Sequence, residues 1–147
     1  MDSSKGFGHY LDRTVKRIQL AYLKAFKEKG VNITIEQWVY LHQIYEMGNE
    51  ASQSELTNLN YRTRATTSKM ITNLVEKGYI TKSFFEGDFK RYKLTLTDSG
   101  QTIIEMLMPF VKELRAIGYK EINDDDFRVF LQVLNQIWEN YEKVDIK

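Results

Sequence analysis

Apolar residues recur at spacings of three and four along almost the whole chain. Only between residues 79 and 96 does that period give way to β-branched and aromatic runs. A repeat near 3.6 residues places one apolar stripe on each helix, and each stripe must be buried against another element. The chain therefore reads as mainly α, about six helices with a single β-hairpin between the fourth and the fifth. One proline, Pro109, in 147 residues agrees with a mostly helical chain.

The first helix is expected over residues 10–29, with Leu11, Val15, Ile18, Tyr22 and Ala25 on its stripe and Lys29-Gly30 as its stop. A second opens at Thr34, which forms a capping box with Gln37, carries Trp38, Leu41, Ile44 and Tyr45, and ends at Gly48-Asn49. A third, short helix begins with the capping box of Ser52 and Glu55 and contains Leu56 and Leu59. After a tight connection at 60–62, a fourth helix spans 63–77, buries Ala65, Met70, Ile71 and Leu74, and closes on Lys77-Gly78. Strands over 79–85 and 92–96 then flank a polar loop at 86–91. Thr97 caps a fifth helix reaching about residue 118, in which Pro109 predicts a kink or break. Asn123 caps a sixth, whose broad apolar face holds Phe127, Phe130, Leu131, Leu134, Ile137, Trp138 and Tyr141.

Composition narrows the class by exclusion. With 42% hydrophobic and 28% charged residues the chain is globular, and its length suits one domain, residues 1–147. The formal net charge of +1 hides an asymmetry. Residues 62–93 hold eight basic side chains (Arg62, Arg64, Lys69, Lys77, Lys82, Lys90, Arg91, Lys93) against three acidic ones, whereas residues 121–147 hold seven acidic against three basic. A basic segment focuses field on phosphate even in a neutral chain. The absence of cysteine rules out disulfides and thiolate metal sites. His9 and His42, the only histidines, have no helical spacing suited to zinc, so no metal and no cofactor is expected. No run approaches the roughly 20 apolar residues of a membrane span. A cytoplasmic protein without membrane contact is the expectation.

Residues 51–97 carry the function. A short helix, a tight turn, a second helix and a basic hairpin are the parts of a winged helix-turn-helix. A helix is about the right diameter for the major groove of double-stranded DNA, and its N-terminal residues are the ones that reach base edges. Here those are Thr63, Arg64, Thr66, Thr67, Lys69 and Asn73, cations, hydroxyls and an amide, and Arg62 directly before them adds a further cation for DNA. The hairpin tip, with Lys90 and Arg91, is expected to reach toward the neighbouring minor groove or backbone.

Three segments resemble the MarR (multiple antibiotic resistance regulator) family of transcription factors in order and spacing, and the likeness extends over nearly the whole chain. They are Thr34-Ile35-Glu36-Gln37-Trp38, then Leu74-Val75-Glu76-Lys77-Gly78-Tyr79-Ile80, then Asp88-Phe89-Lys90 followed by Leu96-Thr97-Asp98-Ser99-Gly100. The resemblance implies a homodimer with interlocking terminal helices (1–30 and 101–147), each subunit presenting a DNA-binding lobe (34–100) to a palindromic operator. It puts Ser68 and Lys69 at the places of a family threonine and arginine, Asp88 at the wing aspartate, and Lys90 at the arginine that this aspartate orients. Lysine keeps the charge at both basic positions and loses the planar fork that allows bidentate contacts. Tyr61 stands where the tight turn commonly has glycine.

The expected function is sequence-specific regulation of transcription, as a repressor that occludes a promoter and is relieved by a small-molecule effector. Tyr22, Phe26, Trp38, Tyr40 and Tyr45 are the candidate lining of an effector pocket, although aromatics at helical spacing also serve as ordinary core. The terminal apolar stripes are likewise either internal core or a dimer seam. No carboxylate pairs with a base, nucleophile or metal-ligand set, so no enzyme is expected. The alternative is a winged-helix protein-interaction module that does not bind DNA, because fold does not fix function.

Overall fold

The computed structural model describes residues 2, 4–48 and 50–145. Asn49, placed above in the stop of the second helix, and Lys147, counted in the acidic end, lie outside the described residues. The chain order is α1 (Phe7–Glu28), α2 (Ile35–Glu46), β1 (Ala51–Ser52), α3 (Gln53–Leu59), α4 (Arg64–Glu76), β2 (Ile80–Phe85), β3 (Asp88–Leu96), α5 (Asp98–Tyr119) and α6 (Asp124–Glu142). These form two compact units, Met1–Leu114 and Arg115–Lys147.

In the first unit, helix ends follow the capping chemistry of the sequence. Thr34 accepts the Gln37 N–H at 3.0 Å while the Thr34 N–H donates to Gln37 Oε1 at 3.0 Å, a complete capping box. Ser52 accepts the Glu55 N–H at 3.1 Å, but the return bond differs from the expected box. Ser52 donates its own hydroxyl to Glu55 Oε1 at 2.9 Å, and its backbone lies in β1. α1 starts three residues before the expected position, on Gly6, and no side chain caps it. At its far end Val31 N–H donates to the Phe26 carbonyl and Gly30 N–H to that of Lys27, with Gly30 at φ 73°. This is a Schellman ending.

One core joins the elements of this unit. Phe26 of α1, Leu41 and Ile44 of α2, Leu56 of α3, Ile71 and Leu74 of α4, Ile80 and Leu94 of the sheet, and Ile104 and Leu107 of α5 are all fully buried. The buried stripe of α4 differs from the one read by apolarity. Thr67 lies on it with Ile71 and Leu74, whereas Ala65 is exposed. Positions 67, 71 and 74 share a helical face.

The sheet has the strand order β1-β3-β2, all antiparallel. β1 is two residues long, too short for any periodicity to reveal. The expected six-residue loop at 86–91 is instead a two-residue turn. Phe85 pairs with Asp88, Gly87 takes φ 75°, and the register breaks between Phe84 and Phe85 so that Phe84 faces Tyr92. Glycine allows the chain to reverse there, and the extra residues of β3 form a bulge.

The start of α5 is tied to the end of α4. Thr97 accepts the Gly100 N–H at 3.1 Å, donates its hydroxyl to the Gly78 carbonyl at 2.6 Å, and donates its N–H to the Tyr79 carbonyl at 3.0 Å. Gly100 is buried, and a Cβ on it would overlap the Tyr79 carbonyl oxygen and lie 3.2 Å from Leu96 Cδ2. α5 continues unbroken through Pro109, so of the expected kink or break the break does not occur. Pro109 is exposed, while Ile104, Leu107 and Val111 around it are buried and hold both halves of the helix to the core.

In the second unit, Asn123 accepts the Asp126 N–H at 2.8 Å and caps α6, which has three aspartates in its first turn. These carboxylates sit at the positive end of the helix dipole. No residue of α6 is buried. Phe127 contacts Tyr119 and Phe130, at ring separations of 4.5 and 5.7 Å, and Leu131, Trp138 and Tyr141 remain exposed.

Gly100→Ala is expected to destabilise the chain by about 1–3 kcal/mol, because the methyl group meets backbone that cannot swing aside. Urea denaturation with an unchanged slope and a lower midpoint checks this.

Candidate nucleic-acid interface

α4 is held at both ends. At its N-terminus Thr63 accepts the Thr66 N–H at 3.1 Å and donates its hydroxyl to Thr66 Oγ1 at 3.0 Å. At its C-terminus Tyr79 N–H donates to the Leu74 carbonyl and Gly78 N–H to that of Val75, with Gly78 at φ 78°. Lys77 Nζ then reaches back, donating to the Asn32 carbonyl at 2.7 Å and to Gln37 Oε1 at 3.0 Å. The glutamine that caps α2 thus also anchors the last turn of α4.

The turn into α4 is built on Tyr61 at φ 52°. Arg62 N–H donates to the Thr57 carbonyl and Tyr61 N–H to that of Asn58, so the turn keeps the Schellman pattern with a tyrosine at the left-handed position. A side chain there costs roughly 1–2 kcal/mol relative to glycine. Asn60 braces the same turn, donating through Nδ2 to Gln43 Oε1 at 2.8 Å and to the Leu56 carbonyl at 2.7 Å.

Of the residues expected to meet DNA, Arg62, Thr63, Arg64, Thr66 and Lys69 are exposed on α4 and its approach, and Ser68 and Asn73 are half-buried. Thr67 must be withdrawn: it is fully buried in the core-facing stripe, where no groove can reach it. Two arginines are engaged within the chain. Arg62 Nε donates to Glu36 Oε1 at 3.0 Å, and an Arg91 Nη donates to Glu55 Oε1 at 3.0 Å. Among the described residues no ion pair holds Arg64, Lys69 or Lys90. On the wing, Asp88 Oδ1 accepts the Lys90 backbone N–H at 3.0 Å, so the aspartate shapes the tip through main chain.

Arg64, Lys90, Arg91 and Tyr92 converge on an open cleft of about 470 Å³ between α3, the start of α4 and the wing. Its polar floor, Gln53, Ser54, Thr57 and Asn58, escaped the sequence reading. These residues carry little chemistry in isolation and reach the site through the packing of α3. Glu36 and Glu55 were missed as arginine partners for a similar reason, since each pair is far apart in sequence.

The five aromatics do not line one cavity. Phe26, Trp38 and Tyr40 are core, Tyr22 packs on that core, and Tyr45 is 39% exposed. Phe26 contacts Trp38 at 5.6 Å and Tyr22 at 6.2 Å between ring centroids. Trp38 also stacks on His42, 5.6 Å away, which faces Glu46. A cleft does lie beside α2, lined by Gln19, Leu23, Ile33, Val39, Asn60 and Arg62 among others.

Two helices joined by a tight turn, with a basic hairpin beside the second, define this lobe as a winged helix-turn-helix. Residues 33–90, from the approach to α2 to the wing tip, match the model of the MarR family. The fold is shared with solved structures of low sequence identity. The MepR–DNA complex of S. aureus superposes with a TM-score of 0.84 at 18% identity, covering 92% of this chain and 98% of that one. BpsR of Bordetella bronchiseptica gives 0.78 at 19%, covering 99% of both chains. A MarR transcriptional regulator of Methanosarcina mazei Go1 gives 0.74 at 22%, covering 95% of this chain and 98% of that one.

Tyr61→Gly is expected to stabilise the chain by up to about 1 kcal/mol, the relief of left-handed strain outweighing the added freedom of the unfolded state. The melting temperature should rise by about 2–4 °C.

Proposed function

We propose that the chain is a homodimeric, sequence-specific DNA-binding regulator that represses transcription by occluding a promoter. The observation that carries this reading is the surface shared by α4 and the wing. Among the described residues no ion pair holds Arg64 and Lys69, on a helix whose other face is locked into the core, or Lys90 on the wing beside it. MepR is described as a DNA complex on the same fold.

Arg64 and Thr66, at the exposed N-terminal turns of α4, are assigned to base edges. Thr63, Ser68, Lys69 and Asn73 support or flank that contact, and Lys90 serves the backbone. Arg62 and Arg91 must exchange Glu36 and Glu55 for phosphate, so each adds less affinity than an unpaired cation. Affinity then comes largely from phosphate neutralisation and falls steeply with salt.

The division of labour follows from exposure. Residues 34–100 serve as the DNA-binding lobe, while 1–30 and 101–147 pair two subunits. Val15 and Ile18 of α1 and Leu131, Trp138 and Tyr141 of α6 are exposed apolar side chains that a second copy would cover. A two-fold dimer spaces its recognition helices by about 34 Å, one turn of duplex, and so fits a palindromic site. Among the described residues no helix is long and apolar enough to cross a membrane, in keeping with a regulator working in the cytoplasm. The reading assigns the chain no reaction.

An effector belongs to this reading. DNA binding by BpsR is described as regulated by 6-hydroxynicotinic acid. In this chain the cleft beside α2, rather than the buried aromatics, is where a small effector would sit, against Arg62 at the approach to α4.

Selection of bound sequences from a random duplex pool tests the reading, and retention that persists unchanged at high salt, or no retention at low salt, would refute it. On the selected site Arg64→Ala is expected to cost about 1–3 kcal/mol, with a much smaller loss on random duplex. Equal losses on both would reassign Arg64 to phosphate.

A further inference from the structure

We infer that Phe89, at the tip of the wing, is a specificity-determining contact that inserts into the DNA minor groove, a role that rests on the DNA-binding reading above. Phe89 is 80% exposed, the largest exposure among the large hydrophobic side chains of the described residues. It is nevertheless braced. Its ring meets Phe84 edge-on at 6.0 Å, and Phe84 stacks on Tyr92 at 4.9 Å with an interplanar angle of 22°. The register break beside Phe84 and the turn at Gly87 set this three-ring ladder at the end of the hairpin.

The surroundings fit a polyanion. Lys82 Nζ lies 3.8 Å from the centroid of Tyr92, at the base of the ladder. On Phe85, Arg91 and Lys93 lie 4.3 and 6.0 Å from the ring centroid. Lys90 follows Phe89 directly. The acids of the tip are Glu86 in the turn and Asp88, whose carboxylate accepts the Lys90 N–H. A rigid apolar edge ringed by cations suits a groove whose walls are phosphate and whose floor is sugar and base edge. The surface is continuous with the proposed interface, because Tyr92 and Lys90 also line the cleft that holds Arg64.

The chemistry explains why an aromatic serves here. Arginine is the side chain suited to the negative potential of a narrow minor groove, and the wing has Lys90 in that place. A phenyl ring contributes instead by burial and by its demand for space, which the exocyclic N2 amino group of G·C restricts and A·T does not.

The experiment uses the full chain and a duplex it selects from a random pool. Fluorescence anisotropy titrations over a salt series compare the natural sequence with Phe89→Ala and Lys90→Ala. Phe89→Ala is expected to weaken binding about tenfold with an unchanged salt slope. Lys90→Ala should reduce the slope by about one. In a second arm, A·T pairs under the wing are replaced by inosine·cytosine or by G·C. Inosine·cytosine presents no N2 amino group, so the natural sequence should bind it like A·T and bind G·C more weakly, while Phe89→Ala should treat all three alike. Natural affinity in Phe89→Ala, or undiminished discrimination against G·C, overturns the inference. So does an altered oligomeric state of Phe89→Ala with unaltered DNA affinity, which would give the ladder to a protein contact. Failure of the natural chain to bind any duplex overturns the DNA-binding reading itself, and this role with it.

Discussion

The close approach of α5 to the end of α4 is the constraint on which the proposed DNA-facing surface depends. Gly100 leaves room for the Tyr79 carbonyl, which then accepts the Thr97 N–H, and the Thr97 hydroxyl closes on Gly78. On the other side of the same turn, Lys77 reaches Gln37 and Asn32. The last turn of α4 is thereby fixed to α2, to the α1–α2 connection and to α5 at once. Its first turn, capped by Thr63, faces outward with Arg64 and Thr66 exposed. A helix that presents side chains to a partner must be rigid in direction, and fixing its last turn to three neighbours supplies that rigidity.

Charge on this surface is sorted by the fold. Eight basic residues lie between 62 and 93, yet they are not equivalent. Lys77 is spent on structure, Arg62 and Arg91 are held by carboxylates, and Lys82 and Lys93 lean on aromatic rings. The pairs with Glu36 and Glu55 are exposed, and such pairs contribute little stability, typically below about 1 kcal/mol. Their effect is geometric, because they tie the turn before α4 to α2 and the wing to α3. Small rearrangements at either carboxylate would therefore change where a cation points without unfolding anything.

Much of this was legible in the chain. Capping at Thr34, Ser52, Thr97 and Asn123, and the glycine stops at Gly30 and Gly78, gave the helices to within a few residues because caps are local chemistry. The hairpin was legible from its β-branched and aromatic runs. Most of the lost details were non-local. β1 has two residues and exists only through its pairing with β3. Thr67 looks polar and is core, because the face a helix buries is chosen by its neighbours. The aromatics of α1 and α2 were ambiguous between pocket and core, and most of them pack on one another or on the surrounding core.

By itself, then, the sequence determined which segments are helices, where they start and stop, that one hairpin interrupts them, and which stretch concentrates positive charge. Periodicity, caps and composition act over a few residues and need no knowledge of the rest. Only the tertiary structure decided which cations remain unpaired, which threonine faces inward, and that Phe84, Phe89 and Tyr92 assemble into a ladder at the wing tip. Those outcomes depend on residues tens of positions apart being brought within a few ångströms, and it is packing of the shared core that brings them together.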